Sequence, residues 1–338
     1  MPMKFPPPLR RLFGAPTAFQ QIVSPAQKPA AARAKTVARA RTAAPRLTEI
    51  TGFGRNLGGL KMLEYVPAGR KGRMPLVVVL HGCLQNARDF DRGAGWGLLA
   101  REHGFALLYP EQTRLNNSNL CFNWFRPSLV RRDRGEIGSI REMIASVSAR
   151  HAIDEKRIFV MGLSAGGAMA SALLATYPDV FAGGAIVGGL PFGAARDAMG
   201  ALSAMQTAPR RSPEEWADLV REVSPAASRF PSVSIWHGTA DRVVSFSNAE
   251  ASLAQWLALH GADPAEETVE EFPGGSRRRW PDSQGGAVEL VTLDDFGHGV
   301  PVGARTPART ATQGPNFMLP STVSLADSLV DAWKLNKR

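Results

Sequence analysis

The chain has 338 residues, of which 44% are hydrophobic and 21% are charged. This balance is typical of a globular protein and excludes wholesale disorder and fibrous repeats. No apolar run reaches the roughly 20 residues that cross a bilayer, so the sequence predicts no transmembrane segment. The length allows one large α/β domain or two smaller domains.

The net charge of +10 is concentrated at the start of the chain. Residues 1–48 contain nine of the 40 basic residues and no acidic residue, which leaves 31 bases and 30 acids for the rest. A nearly neutral body argues against a basic groove for nucleic acid, so no nucleic-acid partner is expected. We interpret the Pro- and Ala-rich residues 1–48 as a disordered or partly helical tail ahead of a single domain over 49–338.

Three uses of this tail stay open: a solvated segment, a weak contact with an anionic surface or storage granule, and an export signal. The stretch from Leu12 to Val23 is interrupted by Gly14 and Pro16, so it lacks the continuous apolar core of a secretory signal. Cytoplasm is therefore the default expectation for location, and secretion is the alternative.

Strand–helix alternation begins near residue 47 with a predicted antiparallel pair, 47–54 and 60–66. Buried strands are predicted at 75–80, 105–109, 157–161, 182–187, 233–236 and 288–293, and helices at about 137–150, 165–176 and 323–335. Ser212 followed by Pro213 predicts one more helix start. The pattern predicts an α/β fold, with a mostly parallel central sheet covered by helices on both faces.

The pentapeptide Gly-Leu-Ser-Ala-Gly at residues 162–166 lies between a predicted buried strand and a helix of small residues. This is the context that a G-x-S-x-G motif requires, because the tight turn needs small residues beside the serine. The turn would expose the Ser164 hydroxyl near a helix N-terminus, which favours developing negative charge. The sequence therefore predicts Ser164 as a catalytic nucleophile rather than a chance match in a chain with 33 glycines.

A serine nucleophile needs a base and an orienting acid, in the chain order serine, acid, histidine for this kind of sheet. Asp241 and His298 follow predicted strands 233–236 and 288–293, at the strand ends where α/β sheets place their sites. Asp294 and Asp295 are rival acids, but they are too close in sequence to His298 to orient it readily. Structural or exposed roles are expected for the other histidines: His81, His103, His151, His237 and His260.

An oxyanion hole in such a sheet takes one N–H from the residue after the nucleophile and another from the loop after an earlier strand. Ala165 would supply the first N–H. Cys83, which follows the predicted strand 75–80, would supply the second. Gly82 is expected to allow the turn that aims the Cys83 amide inward. Cys83 and Cys121 are the two cysteines; they lack zinc-site spacing, and composition leaves free thiols and a single bridge both open.

Five segments in order carry a family resemblance: residues 80–85, 109–112, 121–125, 162–167 and 237–241. Over about residues 50–335 the chain resembles the polyhydroxybutyrate (PHB) depolymerase family of esterases, whose relatives include feruloyl and acetylxylan esterases. The resemblance implies an α/β-hydrolase fold without metal or organic cofactor, and Ser164, Asp241 and His298 as the catalytic triad.

The same resemblance implies that Cys83 and Cys121 pair, and that this bridge links the oxyanion loop to a substrate-binding segment. Three residues form that segment: Asn123, Trp124 and Phe125. The family often has other residues after the catalytic histidine than those at 299–302, which leaves the preferred leaving group open.

A serine esterase acting on short hydroxyalkanoate oligomers or similar soluble esters is therefore the expected function. The chain ends with the expected last helix of the hydrolase, so action on crystalline polymer is not expected. Feruloyl- or acetylxylan-type hydrolysis and acyl transfer use the same triad and remain alternatives. A peptidase is least expected, because nothing positions a charged peptide terminus. In another class, a polyanion- or granule-binding protein would use the basic tail, although the complete triad argues against a silent hydrolase body.

Overall fold

The computed structural model of the chain describes residues 45–69, 72–282, 286–303 and 317–336. Residues 1–44 of the predicted tail lie outside this part of the chain. Leu47 is buried in the core, its carbonyl accepts a hydrogen bond from Arg88 Nη1 at 2.7 Å, and Thr48 begins the first strand. The predicted boundary at 48 is therefore slightly late, because Leu47 and Thr48 are already part of the folded body.

One ten-stranded sheet organises the described residues, in the order β1-β2-β4-β3-β5-β6-β7-β10-β9-β8. Its strands are β1 (Thr48–Ile50), β2 (Lys61–Tyr65), β3 (Met74–Leu80), β4 (Ala106–Glu111), β5 (Ile153–Leu163), β6 (Gly183–Val187), β7 (Ser232–Gly238), β8 (Thr268–Phe272), β9 (Gly275–Pro281) and β10 (Ala287–Leu293). The six strands from β4 to β10 are parallel, and the outer strands on both sides are antiparallel. β11 (Val300–Val302) and β12 (Met318–Pro320) form a separate parallel pair.

Helices cover both faces of the sheet. They are α1 (Ala87–Ala94), α2 (Trp96–His103), α3 (Gly135–Arg150), α4 (Ala165–Thr176), α5 (Ala198–Gln206), α6 (Pro213–Val223), α7 (Ser247–His260) and α8 (Leu325–Ala332), with short 3₁₀ turns at Pro127–Leu129 and Pro264–Glu266. Alternate residues of β3 enter different core clusters: the cluster of Leu76 includes residues of α3 and α7, and the cluster of Val77 includes residues of α1, α2 and α8. This arrangement confirms the predicted α/β class.

The buried parallel strands and the initial antiparallel pair match their predictions. The helix predicted after Ser212 is also confirmed: Pro213 is its first residue, and Ser212 and Glu215 form a reciprocal capping box. No bounds were predicted for helices α1, α2, α5 and α7 or for the β8–β9 hairpin. α1 and α2 have only eight residues each, and the left-handed Gly95 (φ 81°) separates them. β9 contains three successive arginines at 277–279, which hide its strand pattern.

The described helices include none that combines the length and the apolarity needed to cross a bilayer.

Candidate active site

Ser164 lies at the sharp turn between β5 and α4. Its backbone has a positive φ (φ 56°, ψ −119°), which residues other than glycine rarely adopt. The turn depends on its glycines, because a Cβ on Gly162 would overlap the Gly166 carbonyl, and a Cβ on Gly166 would overlap the Leu80 carbonyl. The serine is 8% exposed. A strained turn of this kind presents the hydroxyl at the C-terminal end of the sheet.

His298 and Asp241 form a buried hydrogen-bonded pair. His298 Nδ1 lies 2.7 Å from Asp241 Oδ2, and their side chains are only 5% and 1% exposed. Since the carboxylate can only accept, Nδ1 carries the hydrogen and Nε2 is left as the basic nitrogen. The rival acids Asp294 and Asp295 are both exposed at the surface.

The Asp241 carboxylate is held in its ionised form. Its Oδ1 accepts the N–H groups of Val243 at 2.8 Å and Val244 at 2.9 Å. Burial raises the pKa of Asp241, but the hydrogen bond and charge of His298 and the Val244 N–H outweigh it, so the net pKa lies below its usual value. The acid therefore stays charged where it meets the imidazole.

Ser164 and His298 lie against the same short segment at the end of β6. The Ser164 N–H donates to the Val187 carbonyl at 2.8 Å. The next residue, Gly188, is packed so closely that an added Cβ would lie 3.2 Å from two ring atoms of His298. The ring also meets Phe317 edge-on, with centroids 5.6 Å apart. The structure thus brings Ser164, Asp241 and His298 to the C-terminal ends of the parallel strands.

The two expected oxyanion donors belong to neighbouring backbone segments. Ala165 is the first residue of α4, so its N–H has no acceptor within the helix. Gly166 packs on the Leu80 and His81 carbonyls, which places the start of α4 beside the loop that contains Cys83.

The turn expected at Gly82 is present, since the Gln85 N–H donates to the Gly82 carbonyl at 3.3 Å. Leu84 has the left-handed conformation (φ 62°), and Gly82 does not. Gly82 lies close to the Gln85 side chain: its N–H donates to Gln85 Oε1 at 2.8 Å, and an added Cβ would lie 3.0 Å from that oxygen.

Cys83 and Cys121 form a disulfide in the structure, with their Cα atoms 4.2 Å apart. The bond joins the loop after β3, which we call the oxyanion loop (residues 81–85), to the segment 121–125. A hydrogen bond from Leu84 N–H to the Asn119 carbonyl at 2.8 Å adds a second connection.

A buried carboxylate, Glu136, organises the far side of that disulfide. It is 1% exposed and accepts three hydrogen bonds: from Asn123 N at 2.8 Å, from Asn123 Nδ2 at 2.6 Å and from Gln112 Nε2 at 2.8 Å. Burial raises the pKa of Glu136, and the donors of Asn123 and Gln112 oppose that rise. Gln112 Nε2 also reaches the Cys121 carbonyl at 3.2 Å.

His81 connects this network to the oxyanion loop. Its Nε2 accepts the Gln112 N–H at 3.1 Å and its Nδ1 donates to the Gly82 carbonyl at 2.7 Å. Burial lowers the pKa of His81 to about 4, so the ring is neutral at physiological pH. Sequence reasoning gave His81 only a structural or exposed role, and it missed Gln112 and Glu136 as supports. His81 and Gln112 lie in the family segments 80–85 and 109–112, which could have indicated their role. No sequence pattern marked Glu136.

The substrate-binding expectation for Asn123 and Phe125 needs correction. Asn123 is 2% exposed, and its side chain is used by Glu136 and by Asn117 Nδ2 at 3.1 Å. Phe125 is buried as well. Trp124 is partly exposed and packs against the cluster that contains Ala168 of α4. Of the three, Trp124 remains the candidate for substrate contact.

A serine at a strand–helix turn, beside a buried Asp–His pair at the end of a parallel sheet, defines a serine hydrolase of the α/β-hydrolase class. The family model for the PHB depolymerase esterases matches residues 60–272, and the chain belongs to that family. This confirms the predicted family, and the chain is a hydrolase that acts on ester bonds.

Relatives support this placement. The chain is 38% identical over 275 residues to poly(3-hydroxyalkanoate) depolymerase C of Paucimonas lemoignei, covering 81% of this chain and 66% of that protein. It is 31% identical over 264 residues to feruloyl esterase B of Talaromyces stipitatus, covering 75% of this chain and 72% of that protein. The fold matches acetyl xylan esterase from Aspergillus awamori with a TM-score of 0.70 at 23% identity, over 75% of this chain and 94% of that one.

Proposed function

We propose that the chain hydrolyses carboxylic esters through an acyl-enzyme on Ser164, with His298 as base and Asp241 as the acid that orients it. The observation that carries the proposal is the buried 2.7 Å hydrogen bond between His298 and Asp241, next to the strained Ser164 turn. An imidazole fixed through Nδ1 keeps Nε2 free to take the proton of a serine hydroxyl, which acyl transfer requires.

In the proposed mechanism, the Ser164 oxygen attacks the ester carbonyl while His298 Nε2 takes its proton. The N–H groups of Cys83 and Ala165 stabilise the oxyanion of the tetrahedral intermediate. The intermediate collapses, and the alcohol leaves with the proton from His298. A water molecule then gives a proton to His298 and attacks the acyl-enzyme, which releases the carboxylic acid and restores the Ser164 hydroxyl.

For the substrate we propose short hydroxyalkanoate oligomers or similar soluble esters. The identity to a poly(3-hydroxyalkanoate) depolymerase supports this choice, and the identity to feruloyl esterase B supports an aromatic ester as the second candidate. Rates on short p-nitrophenyl esters, feruloyl esters and hydroxybutyrate oligomers separate the two. Faster turnover of feruloyl esters than of hydroxybutyrate oligomers would contradict the first choice.

The experiment that tests the mechanism is Ser164→Ala, with Ser171→Ala as matched control. We expect the first change to lower kcat by about 10⁴-fold or more, because it removes the nucleophile. Ser171 is a buried serine of α4, the helix that follows Ser164, and its hydroxyl has no hydrogen-bond partner among the described residues, so its replacement should leave the rate unchanged. A Ser164→Ala protein that keeps most of its turnover while folded would contradict the mechanism.

For location we propose an oxidising compartment rather than the expected cytoplasm. The Cys83–Cys121 disulfide supports this, because cytosolic thiols are normally kept reduced. The sequence has two cysteines, so thiol titration of denatured protein, purified without reductant from its native host, should find none free. Two free thiols would favour the cytoplasm instead.

We further propose that the bases within residues 1–48 give a weak contact with an anionic surface or granule. The support is the concentration of nine bases in a stretch without acids.

A further inference from the structure

A second histidine lies beside the proposed catalytic acid. His237, near the end of β7, is 2% exposed. Its Nε2 is 2.9 Å from the Val244 carbonyl oxygen and 3.4 Å from Asp241 Oδ2. Both neighbours are acceptors, so Nε2 carries the hydrogen and donates to Val244 while it faces the carboxylate.

This hydrogen bond closes the turn that holds Asp241. The N–H of Val244 donates to Asp241 Oδ1, and the carbonyl of the same Val244 accepts from His237. Asp241 is in a loop, where a side chain must be fixed by its neighbours to keep a productive geometry. His237 therefore holds Val244, whose N–H binds Asp241 Oδ1. The Nε2–H of His237 also lies near Asp241 Oδ2.

The surroundings keep His237 neutral. Burial lowers its pKa, and His298 acts in the same direction, against the Val244 carbonyl and the charge of Asp241. Within the part of the chain that the structure describes, Asp241 and His298 are the charged or titratable groups that face the ring, and Phe246 packs on it edge-on with centroids 5.6 Å apart. Because the His237 ring is neutral, it does not form an ion pair with Asp241 in place of His298.

We propose that His237 is a positioning residue for ester hydrolysis: its Nε2–H holds the 241–244 turn, and so Asp241, in the geometry that His298 requires. This inference rests on the proposed function. It assigns a catalytic purpose to a histidine for which the sequence indicated only a structural or exposed role.

The test compares His237→Leu with His237→Gln. Leucine removes the donor, whereas the glutamine amide can place an N–H near the position of Nε2. We expect His237→Leu to lower kcat between about tenfold and 100-fold with KM within twofold, because a small misplacement of a catalytic group has effects of this size. His237→Gln should recover most of the rate. If the leucine variant does not fold, His237→Asn replaces it, because its shorter amide cannot reach the Val244 carbonyl.

The matched control is His260→Leu. His260 is also a buried histidine paired with a carboxylate, since its Nδ1 lies 2.6 Å from Asp282 Oδ2. It lies at the end of α7, about 20 Å along that helix from the Asp241 loop at a 1.5 Å rise per residue. The control should lose stability without losing kcat in the folded protein.

A second readout is the pH–rate profile. A misplaced Asp241 stabilises the imidazolium of His298 less, so the acid limb of kcat/KM should move to lower pH in His237→Leu and not in the control. Unchanged kcat and an unchanged acid limb in the folded leucine variant would overturn the role of His237. That result would leave the proposed function intact, because Ser164→Ala tests the proposed function separately.

Discussion

The two sides of the proposed catalytic centre are held in different ways. On the acid side, Asp241 is fixed by local hydrogen bonds from Val243 and Val244 within its own loop. On the oxyanion side, the loop with Cys83 is fixed from outside by a disulfide and by the buried Glu136 network. The difference has a physical reason. A carboxylate offers two oxygens that nearby N–H groups can bind, whereas a backbone N–H that must stay free for substrate has to be positioned through its neighbours.

Between the two sides, the larger effect is expected on the acid side. Asp241→Asn should lower kcat by about 10⁴-fold with little change in KM, because an amide favours the wrong imidazole tautomer. Steady-state kinetics on a short p-nitrophenyl ester measure the change. Asp294→Asn is the control, and a larger loss in that variant than in Asp241→Asn would show that the acid side is assigned wrongly.

This side of the site could be predicted from the sequence because its determinants are local. Ser164, Asp241 and His298 each follow a buried strand, so the strand pattern alone places them at one edge of the sheet. The support of the oxyanion loop could not be predicted in this way. Glu136 lies on α3, and its partners come from β4's end and the 121–125 segment, so only the tertiary structure joins them.

The same limit explains the error over Asn123. Its position in a family segment next to the expected cleft indicated substrate contact, but its amide is used inside the protein by Glu136. The family resemblance located the segment and could not say which of its side chains point inward. The β8–β9 hairpin escaped prediction for another reason, since its strands at the sheet edge carry charged residues on both faces.

The next largest effect should come from the oxyanion side. Glu136→Gln places an amide NH₂ among three donors, which leaves at least one of them without an acceptor. We expect kcat to fall by up to about 100-fold, the lower range for loss of an oxyanion donor, because the Cys83 amide is displaced rather than removed. Circular dichroism and kinetics at one pH separate misfolding from this effect.

Glu142→Gln is the matched control for that experiment. Glu142 is on the same helix, but it binds Arg55 and the Asn56 N–H, away from the oxyanion loop. Its replacement should change kcat by less than about twofold, as expected for a half-buried carboxylate outside the catalytic constellation. Equal losses in both variants would mean that α3 contributes only general stability, and the contrast between the two sides would fail.

A smaller effect should appear in the pH dependence of stability through His81. Its pKa is about 4 in the folded protein against 6.5 when unfolded, because burial disfavours the charged ring. The unfolded state therefore binds the extra proton first, and stability is lost as the pH falls from about 6.5 to about 4. The loss in the free energy of unfolding should approach roughly 3 kcal/mol at the acid end of this range.

Urea unfolding of the wild type and of His81→Gln between pH 4 and pH 7 measures this contribution as a difference. The comparison is needed because Asp91 acts the other way: burial raises its pKa to about 6, so its contribution to stability falls as the pH rises from about 4 to 6. The glutamine variant should lose less stability on acidification than the wild type. Equal acid losses in the two proteins would show that His81 does not hold the oxyanion loop in its neutral form.

The smallest effect on catalysis is expected from the tail. Neither side of the site includes a residue before 45, so deletion of residues 1–44 should keep kcat/KM on soluble esters within about twofold, as for changes outside a catalytic constellation. Binding to granules or to anionic vesicles should fall instead. That binding should weaken with salt, since exposed charges are screened beyond about 8 Å at physiological ionic strength.

Replacing the basic residues of 1–44 by glutamine keeps the length and removes the charge, so it should lower binding as much as the deletion does. If the deletion abolishes hydrolysis of small esters in a folded protein while the glutamine variant keeps it, the tail contributes to the site through its chain rather than its charge.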